Sequence, residues 1–85
     1  MMDVKQAVEA AKQHLINVFG GELGQPPTLE EVWIDSRNGE WCVTFGLRRG
    51  LSPVAGLNFP EYKTVRISPI DGSLVSILNR GSVAA

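Results

Sequence analysis

The chain has 85 residues, a formal net charge of −1, and a composition that is 44% hydrophobic and 20% charged. This length builds one hydrophobic core and excludes a second domain, and the composition is typical of a globular protein rather than a disordered or fibrous one. Phosphate binding requires a clustered basic surface, yet the only adjacent basic residues are Arg48 and Arg49, so we expect no nucleic-acid partner.

The N-terminus shows no charged segment followed by an apolar stretch and a small-residue cleavage site, so we expect no signal peptide. Apolar runs are only a few residues long, which excludes a membrane-spanning segment. The single cysteine, Cys42, has no partner for an intramolecular disulfide and fits a reducing compartment. We therefore expect a cytoplasmic protein without a membrane partner.

Residues 3–19 predict an amphipathic helix. Asp3 is a favourable N-cap, and Gln6 three residues later completes a capping box. Gly20 and Gly21 predict that the helix ends at a glycine with positive φ. The apolar residues recur at helical spacing and form one stripe: Val4, Ala7, Val8, Ala11, Leu15, Val18 and Phe19.

Residues 29–47 predict two antiparallel strands, Leu29–Asp35 and Glu40–Leu47. The intervening Ser36–Gly39 contains Asn-Gly, a strong hairpin signal. The second strand alternates most clearly, with Trp41, Val43, Phe45 and Leu47 on one side and Glu40, Cys42, Thr44 and Gly46 on the other. One face of this strand therefore requires a core.

A second hairpin is predicted near the C-terminus. Tyr62–Ser68 has strand alternation, Pro69–Gly72 is a turn, and Leu74–Leu78 is a short last strand. Between the hairpins, residues 48–60 are irregular but unusually apolar for a loop. We expect residues 81–85 to form a flexible tail after a single domain that spans residues 1–80.

These elements predict an α+β fold in which one N-terminal helix packs on a four-stranded antiparallel meander. A helix is only about 10 Å across, whereas four strands at ~4.8 Å spacing form a sheet about 15–19 Å wide. One helix therefore cannot cover the sheet. The apolar segment from Leu51 to Phe59 either folds over the uncovered part or contacts another chain, and the sequence leaves both possibilities open.

Three segments resemble the PepSY family and its relatives with a cystatin-like helix and sheet. They are Trp41–Phe45, the strand Tyr62–Ile67, and the turn and last strand Asp71–Ile77. The resemblance implies a helix-plus-antiparallel-sheet topology and a non-catalytic module. In some members of the family, the module is part of a peptidase propeptide that inhibits its enzyme.

No set of side chains predicts catalysis or a cofactor. His14 is the only histidine and no Cys-x-x-Cys motif occurs, so we expect neither a metal site nor a catalytic histidine. Cys42 has no basic sequence neighbour that would lower the pKa of its thiol. Five acids could in principle supply an acid and base pair, but such charges usually decorate solvated strands: Glu30, Glu31, Asp35, Glu40 and Glu61.

The strand face opposite the helix is more informative. Its predicted outward residues are Trp33, Cys42, Thr44, Tyr62, Thr64 and Arg66, and tryptophan, tyrosine and arginine are enriched at interface hot spots. An equally simple interpretation is that Trp33 only packs against Tyr62 or another cross-strand neighbour on a partly solvated sheet surface.

The leading hypothesis is a small non-catalytic protein-interaction module that uses the open sheet face, the apolar 50–60 loop, or both, to bind another protein or a second copy. The first alternative is an inhibitor or immunity-type protein that inserts the 48–60 loop into a target enzyme, and the second is a small ligand-binding domain. The candidate interaction residues are Trp33, Thr44, Tyr62, Arg66, Arg48, Arg49, Leu51, Val54, Leu57 and Phe59.

Overall fold

A computed structural model describes residues 2–23, 26–47 and 61–80, and it confirms the predicted α+β architecture. The elements are the helix α1 (Val4–Phe19), a short 3-10 turn (Gly20–Glu22), and the strands β1 (Thr28–Ile34), β2 (Trp41–Leu47), β3 (Glu61–Ile67) and β4 (Leu74–Arg80). All neighbouring strands are antiparallel, and their order β1-β2-β3-β4 is that of a meander.

The prediction for the start of α1 is confirmed, whereas the prediction for its end is wrong. At the start, the Gln6 amide donates to Asp3 Oδ1 at 2.8 Å and the Asp3 amide donates to Gln6 Oε1 at 3.0 Å, which confirms the capping box. At the end, the predicted positive φ is wrong, because Gly20 is right-handed with φ −51°. The chain instead tightens into the 3-10 turn, and its positive-φ glycines in the described ranges are Gly39 and Gly72.

Both predicted hairpin turns are confirmed, and each uses one glycine in the left-handed region. Gly39 has φ 76° and donates its amide hydrogen to the Asp35 carbonyl at 2.7 Å. Gly72 has φ 73° and donates to the Ser68 carbonyl at 2.9 Å. Because side chains disfavour this backbone conformation, glycine at these two positions fixes where the strands reverse.

The core lies between α1 and one face of the sheet, which we call the inner face. Cross-strand partners share a face, so the pairing of Val43 with Val65 and of Trp41 with Ile67 aligns the inner residues of β2 and β3. The buried core cluster comprises Ala7, Ala11 and Leu15 from the helix and Trp41, Val43, Phe45, Leu47, Val65 and Ile67 from the sheet.

The helix is narrower than the sheet, as predicted. On the inner face, Leu29 and Ile34 of the edge strand β1 are 46% and 52% exposed, and Leu74 of the other edge strand is 39% exposed. Residues 48–60, for which the sequence predicts an apolar cover or contact, and the predicted tail 81–85 lie outside the described residues.

Lys63 occupies an inner-face position that the sequence reasoning did not single out. It pairs with Phe45 and is 7% exposed. Its ammonium group lies 5.0 Å from the centre of the Phe19 ring and 3.7 Å from Glu61 Oε2, and it donates to Asn79 Oδ1. The charge is therefore satisfied at the end of the helix, where the stem of Lys63 extends the core.

Candidate interaction surface

The sheet face opposite α1, which we call the outer face, carries all six residues predicted to point outward. Its members are Thr28, Trp33, Cys42, Thr44, Gly46, Tyr62, Thr64, Arg66, Ser76, Leu78 and Arg80, together with Glu30 and Glu31. The register aligns Trp33, Cys42, Arg66 and Ser76 in one row across the four strands. The face exists as predicted, whereas its role in binding stays a prediction.

The floor of the outer face consists of three small residues on β2. Cys42 is 0% exposed and Thr44 is 1% exposed, and Gly46 is also buried, although none of them belongs to the core cluster under α1. Thr44 Oγ1 lies 2.8 Å from Thr64 Oγ1, so the two hydroxyls satisfy each other. Thr44, a predicted contact residue, therefore supports the surface from below and does not contact solvent.

Cys42 is buried on this face beside charged neighbours. Burial raises the pKa of its thiol, the positive charge of Arg66 opposes that effect, and the carboxylates of Asp35 and Glu40 add to it. A thiol that stays neutral is a weak nucleophile. The environment of Cys42 therefore favours a packing role over a catalytic one.

Ion pairs enclose one end of the outer face, next to the β1–β2 turn. Arg66 Nη2 lies 2.5 Å from Asp35 Oδ2, and Arg66 Nε lies 3.8 Å from Glu40 Oε1. The Arg37 amide donates to Asp35 Oδ1 at 2.9 Å, and its guanidinium contacts both carboxylate oxygens at 3.3 Å. The side-chain hydrogen bonds of Arg37, followed by its backbone bond and then Arg66, lower the pKa of Asp35 to about 2.

A β-bulge in β1 shapes the opposite end. The register shifts between Leu29 and Glu31, so Glu30 is the extra residue in this strand. The Glu30 side chain lies over Gly46, where an added Cβ would meet Glu30 Oε2 at 2.9 Å. Glu31 forms an ion pair with Arg80 of β4, which joins the two edge strands across the face.

Two exposed apolar side chains lie between these charged ends, one on each edge strand. Trp33 of β1 is 40% exposed and Leu78 of β4 is 54% exposed, and Tyr62 and Thr64 on β3 are half-buried. Sequence reasoning found Trp33 and Tyr62 but missed Leu78, because it placed the end of the last strand there and took no account of β4 continuing to Arg80. The alternation of Ser76, Leu78 and Arg80 is the signal that would have revealed it.

Six of the predicted interaction residues cannot be placed on either face. Arg48, Arg49, Leu51, Val54, Leu57 and Phe59 lie outside the described residues. The inhibitor alternative rests on the same segment, so it stays a prediction.

His14 has a structural contact, since its Nε2 lies 2.8 Å from the Gly72 carbonyl oxygen. Within residues 2–23, 26–47 and 61–80, no three His, Cys, Asp or Glu side chains are arranged to hold a metal ion. In the same ranges, no helix has the length and apolarity that crossing a membrane requires.

Compared with known proteins, the chain matches no family model, no curated protein and no solved structure. The resemblance to the PepSY family therefore stays a prediction based on its three short segments. What the chain does must be argued from its own surfaces.

Proposed function

We propose that the protein is a non-catalytic interaction module whose outer face binds another protein. The observation that carries the proposal is the arrangement of this face, with Trp33 and Leu78 exposed on its two edge strands and ion pairs at both ends. Exposed aromatic and apolar side chains bordered by polar groups are typical of interfaces between proteins.

The residue types on this face also support the proposal. Tryptophan, tyrosine and arginine are over-represented among residues that contribute most to binding, and Trp33, Tyr62 and Arg66 all lie on the outer face. Leu78 adds apolar area on the adjoining strand.

The face is also held in one conformation before any partner arrives. Arg66 is tied to Asp35 and Glu40, the Thr44 and Thr64 hydroxyls are paired, and the described residues contain no buried side-chain nitrogen or oxygen without a hydrogen bond. Pre-organised surfaces lose less conformational entropy on binding. A partner would therefore meet a rigid surface.

Affinity purification with wild-type and variant chains, quantified by mass spectrometry, tests this proposal. We expect Trp33→Ala to lose at least one specific partner, with an affinity loss of about 2 kcal/mol, or roughly 30-fold in Kd. Val18→Ala is the matched control, because Val18 is a comparably exposed apolar residue on α1, at 54%. Retention of every partner by Trp33→Ala and by Leu78→Ala would refute the proposal.

A further inference from the structure

A groove separates the N-terminal half of α1 from the edge strand β1. Its volume is about 450 Å³, within the range of roughly 300–1,000 Å³ that is usual for ligand sites. The apolar lining residues are Val4, Val8, Pro27, Leu29 and Phe45. Val4 and Leu29 are 49% and 46% exposed, so the groove leaves substantial apolar surface uncovered.

The strand that borders this groove has a free side. In the described sheet, β1 hydrogen-bonds to β2 alone, so every second residue directs its N–H and C=O away from the sheet. Beyond the bulge, the pairing of Glu31–Ile34 with β2 is regular. An extended segment that aligned here would form main-chain hydrogen bonds and place alternate side chains beside Val32 and Ile34, and its continuation past the bulge would enter the groove at Leu29.

The helical rim of the groove carries charge without a partner. Lys5, Glu9 and Lys12 line this rim, and neither lysine forms an ion pair with any part of the chain that the structure describes. The two lysines are seven residues apart, about 10 Å along the helix, which three residues of an extended peptide span. Carboxylates on such a peptide would complement them.

We propose that this groove binds an extended peptide segment of another protein as a fifth strand on β1. The segment places apolar side chains at every second position in the groove, and it carries acidic side chains that reach Lys5 and Lys12. This site lies on the inner margin of the sheet and is separate from the outer face.

A second copy of the chain fits the groove less well. Pairing β1 with its own copy would bring Glu30 and Glu31 of both chains onto adjacent strands, where like charges repel. At the other edge of the sheet, the turn before β4 packs on α1, with Gly72 against Met2 and Ala10.

Selection from a random seven-residue peptide library against the full chain tests the proposal. We expect enriched peptides to alternate apolar residues and to contain Asp or Glu. The double variant Lys5→Glu/Lys12→Glu changes rim residues only, and it should replace the acidic preference with Lys or Arg. Trp33→Ala should enrich the same peptides as wild type, which separates this site from the outer face.

Binding of one enriched peptide is then measured with matched helix variants. Val4→Asp should weaken it at least 10-fold, whereas Val18→Asp, at a position of similar exposure farther along α1, should leave it unchanged. Strand addition uses the N–H of every second peptide residue. N-methylation of one alternating set of amides should therefore abolish binding, whereas N-methylation of the other set should not.

Three results would overturn the proposal. They are a selection that enriches no peptide sequence, peptide binding that Val4→Asp leaves intact, and equal effects of N-methylation at the two alternating sets of peptide amides. Sedimentation could give a fourth such result. If the chain forms a dimer that Val4→Asp disrupts and Val18→Asp does not, the groove binds a second copy instead.

Discussion

Arg66 on β3 donates a hydrogen bond to Asp35, which follows β1, at 2.5 Å between Nη2 and Oδ2, although β2 lies between these strands. The two residues are 31 positions apart in the sequence. Their contact therefore crosses the outer face above β2 and encloses its end, beside the buried thiol of Cys42. It couples the β1–β2 turn to the centre of the sheet.

The carboxylate of Asp35 should make the protein sensitive to acid. Its folded-state pKa is lowered from 3.8 to about 2, so its contribution to stability is present above pH 4 and is lost as the pH falls from about 4 to about 2. We expect the stability difference between wild type and Asp35→Asn to shrink across that window. Denaturant unfolding at several pH values measures it.

The cause of the Asp35 shift can be tested separately. The side-chain hydrogen bonds of Arg37 are the largest cause, so Arg37→Gln should raise the titration midpoint of the Asp35 carboxyl toward 3.8. Carbon NMR of the carboxyl group follows this directly. A wild-type midpoint already near 3.8 would contradict the assigned hydrogen bonds.

Cys42 should be a slow thiol in the native protein. It is fully buried and burial raises the pKa of its thiol, so both access and thiolate content are low. We expect a thiol reagent such as dithionitrobenzoate to react at least about 100-fold more slowly with the folded chain than with the chain in denaturant. The variant Trp33→Ala, which removes its cross-strand neighbour, should increase the native rate.

The sequence predicted the fold because its signals were local. The alternation from Trp41 to Leu47 set the two faces of β2, and glycines such as Gly39 set the turns. The predicted positive φ at the end of the helix was wrong. A glycine after a helix often takes positive φ, but here the backbone of Gly20 stays right-handed and continues into the 3-10 turn.

The surfaces were less predictable because they depend on contacts between distant residues. Alternation placed Thr44 on the outer face, but it is buried there, and its hydroxyl pairs with that of Thr64, 20 positions later. The pairing of Glu31 with Arg80 depends on a bulge and on the full length of β4. The groove at β1 is lined by residues of α1, β1 and β2, so it depends on how separate elements pack, which no periodicity encodes.

The β3–β4 turn should tolerate an added side chain slightly less well than the β1–β2 turn. Gly72→Ala and Gly39→Ala both place a side chain at positive φ, which costs about 1–2 kcal/mol. An added Cβ at Gly72 would also meet the Met2 methyl at 2.9 Å, whereas at Gly39 the nearest atom, on Pro69, is 3.9 Å away. Because that methyl is the end of a flexible side chain that can move, we expect Gly72→Ala to lower the free energy of unfolding only slightly more than Gly39→Ala does.

Met2 provides the control for that comparison. In a Met2→Ala background the close contact at Gly72 is relieved, so the cost of Gly72→Ala should fall to that of Gly39→Ala. Thermal and urea unfolding of the four chains measures the coupling. An unchanged cost would mean that Met2 does not pack on the turn.

Lys63 should contribute to stability through its stem more than through its charge. Lys63→Ala removes three buried methylene groups at about 0.8 kcal/mol each, roughly 2 kcal/mol in total. Lys63→Met keeps the apolar volume, and the exposed Asn79 can hydrogen-bond to water instead, so its stability should stay within about 1 kcal/mol of wild type. Urea unfolding of both variants distinguishes the contributions. Equal losses for Met and Ala would show that the ammonium group, through Phe19, Glu61 and Asn79, supplies the stabilisation instead.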